Sequence, residues 1–323
     1  MRLLISGVAG FIGSNLADSL IGSNHIVGID NFDPFYDRSI KETNIKGLLK
    51  HSDFTFYEMD LLDNNKLNKI VNEHNIELII HLAAKAGVRP SILDPVGYTK
   101  HNIEGTVNIL ESARKNGVKN IILASSSSVY GNNKIVPFSE EANVDFPISP
   151  YAASKKACEL MSHSFAKLHG QKIANLRFFT VYGRRQRPDL AIAKFTQMID
   201  NEEPIPFYGD GTTERDYTYI DDITSGIEKC MEWLVVQEDG CFEIFNLGEN
   251  QTTTLKSLVR TIENALGKKA TLDMQPMQPG DVNRTFADIE KAKNYFGYSP
   301  NTKIKEGISE YIRYYKSSLN KMD

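Results

Sequence analysis

At 323 residues the chain can build one large domain or two interlocked ones, and its formal net charge of −4 excludes a nucleic-acid surface. With 41% hydrophobic and 24% charged residues it reads as a soluble globular protein, and no apolar run approaches the ~18 residues of a membrane span. Cys158, Cys230 and Cys241 form no Cys-x-x-Cys and the seven histidines show no ligand spacing, which predicts reduced thiols, a cytoplasmic location and no metal site.

Arg2 to Ser6 is a short apolar run suited to a buried parallel strand, and it leads into glycines rather than a signal peptide. Gly7, Gly10 and Gly13 follow in a Gly-x-x-Gly-x-x-Gly spacing that opens an amphipathic segment through Leu20. Glycines at such a turn let a pyrophosphate approach the amides at a helix N-terminus. The next run, His25 to Ile29, ends in Asp30. An acid at that strand tip accepts both ribose hydroxyls of an adenosine and repels a 2′-phosphate, so the cofactor reads as NAD rather than NADP.

Phe54 to Met59 predicts a strand, followed by Asp60-Leu61, where the carboxylate can hold an adenine amine. Lys66 to His74 reads as a helix and Glu77 to Leu82 as the fourth strand. Thr99 to Asn116 has the apolar spacing of one helix stopped by Gly117, and Asn120 to Ala124 is the fifth strand. Pro150 to His169 is a long helix with proline in its first turn and Gly170 past its end. Tyr151 and Lys155 share one face of it. A lysine ammonium beside a phenol favours the phenolate, which can take a proton from a substrate hydroxyl. Histidines 81, 101 and 163 read as structural.

Lys172 to Phe179 supplies a sixth strand, and the alternation of strands and helices implies an α/β, Rossmann-type doubly wound parallel sheet. After Val181 the pattern loosens, with Arg and Pro clusters from Gly183 to Asp216 that predict a substrate lid. Tyr219 to Leu234 and Phe242 to Leu247 read as sheet elements returning to the first domain. The expected division is 1–180 as dinucleotide-binding domain, joined by 219–247, with 181–218 and 248–323 as a smaller substrate lobe containing helices at Thr254 to Leu266 and Ile304 to Tyr315.

The glycine triplet, His81-Leu82-Ala83-Ala84, Ser125-Ser126-Ser127-Ser128-Val129-Tyr130-Gly131 and Tyr151-x-x-x-Lys155 occur in one order and spacing. Together they resemble the extended short-chain dehydrogenase/reductases, and within them the NAD-dependent nucleotide-sugar epimerases and dehydratases. Arg177 to Gly183, Arg215 to Asp222 and Pro279 to Val282 extend the resemblance over nearly the whole chain. It implies Tyr151 as acid–base catalyst, Lys155 on the nicotinamide ribose, and a serine after the fifth strand as third member. The separation from the tyrosine assigns that serine to Ser126, with Ser127 and Ser128 as neighbouring choices. The cofactor set it implies comprises Gly7, Gly10, Phe11, Ile12, Gly13, Asp30, Asn31, Asp60 and Leu61. Leu82, Ala83, Ala84, Lys85, Asn102, Ser125, Tyr151, Lys155 and Phe178 complete it.

Dehydratases of this family carry Asp-Glu in the serine run, and decarboxylating relatives a glutamate before Val-Tyr-Gly; this chain has Ser127 and Ser128 there. The implied reaction is therefore inversion at sugar carbon 4 through a transient 4-keto sugar, a UDP-sugar 4-epimerase. The alternatives are a dehydratase or oxidoreductase of the same fold, or a dinucleotide-sensing module without catalysis. Arg215 aligns with a diphosphate-binding arginine and Asp281 with a ribose contact, while Gln278 replaces an arginine found in UDP-glucose 4-epimerases. Arg184 to Ala191 and Ala86 to Arg89 resemble UDP-glucuronate 4-epimerases, where Arg89 or Arg185 can meet a sugar carboxylate. Thr285 stands where a tyrosine excludes N-acetyl sugars, so UDP-N-acetylglucosamine is admitted as well. Ser126, Ser127, Ser128, Thr180, Arg187, Ala191, Phe195 and Phe207 fill out the implied substrate set. The resemblance also implies a homodimer through the helices at 99–116 and 150–169.

Overall fold

The computed structural model describes residues 1–277 and 283–319. Seven strands form the central sheet: β1 (Arg2–Ser6), β2 (His25–Asp30), β3 (Phe54–Glu58), β4 (Leu78–His81), β5 (Asn120–Ser126), β6 (Lys172–Phe178) and β7 (Phe242–Leu247). Their order is β7-β6-β5-β4-β1-β2-β3, every neighbouring pair parallel. A parallel sheet is covered on both faces, which explains the unbroken apolar runs: Leu3, Leu4, Ile5, Ile79 and Ile80 are fully buried. The chain starts at β1, builds outward to β3, then crosses back to lay β4 on the other flank of β1. The resulting switch point opens a crevice at the carboxyl ends of β1 and β4.

The covering helices are α1 (Phe11–Leu20), α2 (Arg38–Ile45), α3 (Asn64–Glu73), α4 (Gly105–Lys115) and α5 (Pro150–His169). Later come α6 (Ala191–Asp200), α7 (Ile220–Val235), α8 (Leu255–Leu266) and α9 (Ile304–Leu319). Local chemistry sets the ends of α5. The Ser149 hydroxyl accepts the Ala152 amide at 3.1 Å, Pro150 occupies the first turn, and Gly170 at φ +67 stops the helix.

Two expectations are corrected. Residues 99–116 are not one regular helix: Thr99–Glu104 is π-helical and only then does α4 begin. The Thr106 hydroxyl donates to the Asn102 carbonyl at 2.6 Å and Cys158 Sγ donates to the same oxygen at 3.3 Å, drawing it from the regular ladder. Residues 220–234 form the helix α7 rather than sheet. Ile220, Ile223, Ile227, Cys230 and Leu234 are fully buried at helical spacing, and Asp221 and Asp222 sit in the first turn. Phe242 to Leu247 does join the sheet, beside β6.

Outside the sheet, Ile205–Tyr208 pairs in parallel with Leu272–Gln275, and α8 packs against α6 and α9. One buried carboxylate ties this region together. Asp216 accepts the amides of Glu249 at 2.7 Å, Asn250 at 3.1 Å and Ala287 at 3.1 Å. Burial pushes its acid up to about 6.

Candidate active site

The crevice at the switch point is a cavity of about 600 Å³. Its floor is the turn from β1 into α1. Gly7 has φ +73, and a Cβ there would lie 2.8 Å from the Ala83 amide; one on Gly13 would lie 2.2 Å from the Gly7 carbonyl. The glycines thus let α1 start directly against the strand, and no side chain caps its N-terminus. Its first-turn amides are left to an anion, which suits a pyrophosphate.

Gly7, Gly10, Phe11, Ile12 and Gly13 line one side of the cavity. Asp30 stands at the β2 tip, accepting the Ala9 amide at 3.1 Å and the Phe32 amide at 2.9 Å. Burial raises its acid, while those amides and the Lys41 ammonium act the other way. Each carboxylate oxygen keeps a lone pair for a ribose hydroxyl. Asn31 Nδ2 donates to Asp60 Oδ2 at 3.0 Å, and Leu61, Leu82, Ala83, Ala84 and Lys85 continue the wall. These groups fit a dinucleotide.

At the other end, Tyr151, Lys155, Ser125, Ser126, Ser127, Ser128, Phe178, Thr180 and Arg187 share the same cavity. Lys155 is 6% exposed and its Nζ donates to the Ala124 carbonyl at 2.7 Å, which leaves two donors for a ligand. The Ser126 hydroxyl caps the turn Ser127–Tyr130, accepting the Ser128 amide at 3.2 Å and donating to the Ser128 hydroxyl at 3.1 Å. Arg187 is braced by two bonds to Asp189 at 2.9 and 2.6 Å, with its guanidinium 4.9 Å from the Phe35 ring centroid.

Other expected residues stand elsewhere. Asn102 lies behind the wall: its Oδ1 accepts the Lys85 amide at 2.8 Å and its Nδ2 donates to the Lys85 carbonyl at 3.0 Å. Arg185 turns away to α1, pairing with Asp18 at 2.6 Å and donating to the Ser14 carbonyl. Phe195 and Phe207 are core residues, and Ala191 opens α6 on an exposed edge. Arg89 faces the Tyr208 ring, Arg215 donates to the Glu214 carbonyl, and the buried Thr285 hydroxyl accepts the Asp216 amide at 3.2 Å. Gln278 and Asp281 lie outside the described residues.

The cavity adds residues that sequence reading passed over, Tyr98, Phe35, Tyr36 and Lys41, and also His101, expected to be structural. Tyr98 meets the Tyr151 ring edge-on with centroids 6.1 Å apart, and its hydroxyl donates to the Ala86 carbonyl. No motif announces it; an aromatic in the short helix Pro95–Tyr98 is its only trace. His81 is structural, as expected. Its ring nitrogens bond the Ser6 hydroxyl at 2.6 Å and the Thr106 hydroxyl at 3.1 Å, and burial with the nearby Lys155 charge lowers its pKa to about 3. Among the described residues no cluster of potential ligands could hold a metal ion, and no helix is long and apolar enough to cross a membrane.

The family model described as GDP-mannose 4,6 dehydratase matches residues 4–311. A UDP-glucuronate 4-epimerase of Thermodesulfobacterium geofontis is 39% identical over 318 residues, spanning 98% of this chain and 96% of its own. The crystal structure of UDP-glucuronic acid 4-epimerase from Bacillus cereus, in complex with UDP-glucuronic acid and NAD, matches with TM-score 0.92 and 34% identity, over 98% of this chain and 100% of that one. A UDP-N-acetylglucosamine 4-epimerase from Methanobrevibacter ruminantium, in complex with UDP-N-acetylmuramic acid, matches with TM-score 0.89 and 30% identity, over 98% of each chain. The chain belongs to the GDP-mannose 4,6 dehydratase family, within the extended short-chain dehydrogenase/reductases.

Proposed function

We propose that this protein is an NAD-dependent UDP-sugar 4-epimerase whose preferred substrate is UDP-glucuronate. The observation that carries the reading is one cavity holding both the glycine turn and the Tyr151, Lys155 and serine cluster. The carboxylates that line it, Asp30, Asp33, Asp60 and Asp94, come from the end of β2 and from the segments after β2, β3 and β4. None stands in the serine run, where elimination or decarboxylation needs an acid.

NAD, when bound, supplies the oxidant for the carbinol at carbon 4 and the reductant for the ketone that results. Tyr151 takes the hydroxyl proton and later returns it to the carbonyl oxygen. Lys155 holds a positive charge beside that phenol and offers its remaining donors to the ribose. Ser126, with Ser127 and Ser128 beside it, hydrogen-bonds the reacting oxygen. Between the two transfers the 4-keto sugar turns over, so the sugar pocket must be wide and the nucleotide held firmly. Arg215 is our choice for the diphosphate and Asp281 for the uridine ribose, with Gln278 in place of the second arginine of UDP-glucose 4-epimerases.

Arg187 favours the glucuronate. It is the cavity-lining arginine from the Arg184 to Ala191 segment, and with Nε and Nη2 bonded to Asp189 its Nη1 edge is left to meet a carboxylate. Thr285 keeps UDP-N-acetylglucosamine as the second reading. We further propose a cytoplasmic homodimer, supported by free thiols and by Leu160 and Leu168, which stand 57% and 77% exposed on α5. Anaerobic incubation with a panel of UDP-sugars, followed by chromatography, tests the reaction. The expected product is the carbon-4 epimer; stoichiometric NADH or a 4-keto-6-deoxy sugar overturns it.

A further inference from the structure

Behind the serine end of the cavity the molecule buries a complete ion pair. Glu159 on α5 and Arg177 on β6 have side chains only 1% exposed. Arg177 Nε donates to Oε1 at 2.8 Å and Nη2 to Oε2 at 2.9 Å. Glu159 Oε1 also accepts the Ser125 hydroxyl at 2.6 Å. Arg177 Nη1 donates to the Tyr130 hydroxyl at 3.0 Å, which donates to Asn246 Oδ1 at 2.7 Å. Fastening the fold is a weak reason for such a pair. Desolvation of two charges offsets their attraction, and an apolar pair of similar volume is often as stable or more so.

Its location suggests another role. Glu159 lies four residues beyond Lys155 and eight beyond Tyr151 on the same helix. Ser125 immediately precedes Ser126 on β5, and Arg177 is the register partner of Ser125 on β6. Lys155 Nζ bonds the Ala124 carbonyl, so successive turns of α5 grip successive residues of β5.

We propose that Glu159, oriented by Arg177, is a positioning residue that fixes the helix bearing Tyr151 and Lys155 against the strand end bearing Ser126. The inference rests on the epimerase reading above. It predicts loss at the chemical step with little change in substrate binding, because the groups displaced relative to each other are those around the reacting oxygen.

The decisive variant is the apolar pair E159L/R177M. The expected result is a folded protein that melts cooperatively above the assay temperature, with NAD retained and KM for UDP-glucuronate near the parent's. Its kcat falls by roughly 100-fold, the cost of about an ångström of misplacement. A folded double variant with the parent's kcat overturns the proposal. Should that variant not fold, Ser125→Ala decides: it removes a single bond, so the expected result is a protein still folded at the assay temperature, with NAD retained and KM unchanged, and kcat reduced roughly tenfold. Unchanged kcat there also overturns the proposal. A parent enzyme inactive on every UDP-sugar instead defeats the epimerase reading, and this inference with it.

Discussion

Tyr151 and Ser126 line the same cavity yet face different losses on substitution. On the proposed mechanism Tyr151→Phe removes the proton carrier, so kcat should fall ~10²–10⁴-fold, measured on protein of unchanged melting temperature. On the same mechanism Ser126→Ala removes one hydrogen bond to the reacting oxygen and should cost about tenfold. If Ser127→Ala or Ser128→Ala proves the more damaging, the assisting hydroxyl lies one or two residues later. Arg187 carries the prediction about the sugar. Arg187→Leu should raise KM for UDP-glucuronate by roughly 10- to 100-fold, as expected for a lost charge-assisted bond, and leave UDP-glucose nearly unaffected. Equal effects on both sugars would assign Arg187 to the nucleotide or to the braced loop itself.

At the scale of elements, the turn between β1 and α1 is the least tolerant place in the cavity. The methyl of Gly13→Ala would lie 2.2 Å from the Gly7 carbonyl, a backbone atom that cannot swing aside. The helix start must shift, taking its amides off the place proposed for the pyrophosphate. Gly13→Ala should therefore purify without NAD, read from the absorbance of the denatured protein, and have little epimerase activity. A variant retaining one NAD per chain would show that the turn adapts. What the sequence reveals follows the range of the forces involved. α5 is legible to the residue because Ser149, Pro150 and Gly170 are local signals. The glycine turn and the Tyr151–Lys155 pair are legible for the same reason. The π-helical turn at Thr99–Glu104 is not, since Cys158 approaches it from another helix. Nor is Tyr98 against Tyr151, which the passage of the chain through α4 and β5 brings together. Arg185 was plausible by spacing, but its backbone at φ +62 and its ion pair with Asp18 direct it to α1 while Arg187 faces the cavity. The sheet-like reading of 220–234 missed a period that is present in the residues.

For the whole molecule, the buried site should leave a signature in acid stability. His81 ends β4, bonded to Ser6 on β1 and Thr106 on α4, buried and close to the Lys155 charge, so its folded pKa is about 3 against an ordinary 6.5. Above pH 6.5 the ring is neutral in both states and its two hydroxyl bonds contribute in full. As pH falls below 6.5 the unfolded chain takes up a proton that the folded chain refuses. Stability is then lost by up to ~1.4 kcal/mol per pH unit until the folded ring titrates near 3. Asp216 acts with the opposite sign. Its folded acid lies near 6, so between pH 6 and 4 the folded chain holds a proton that the unfolded chain has released, which offsets part of the loss. The two groups oppose each other over most of the acid range, and the wild-type curve alone would conceal both. His81→Gln separates them. It should be less stable than the parent at pH 7.5 because the ring's bonds are disturbed, yet its stability should fall less on acidification. Urea unfolding at intervals from pH 7.5 to 4.5 measures this directly. The difference between the two curves should narrow by about one proton's worth per pH unit below 6.5, and parallel curves would mean that the folded His81 ring takes up its proton over the same pH range as the unfolded one.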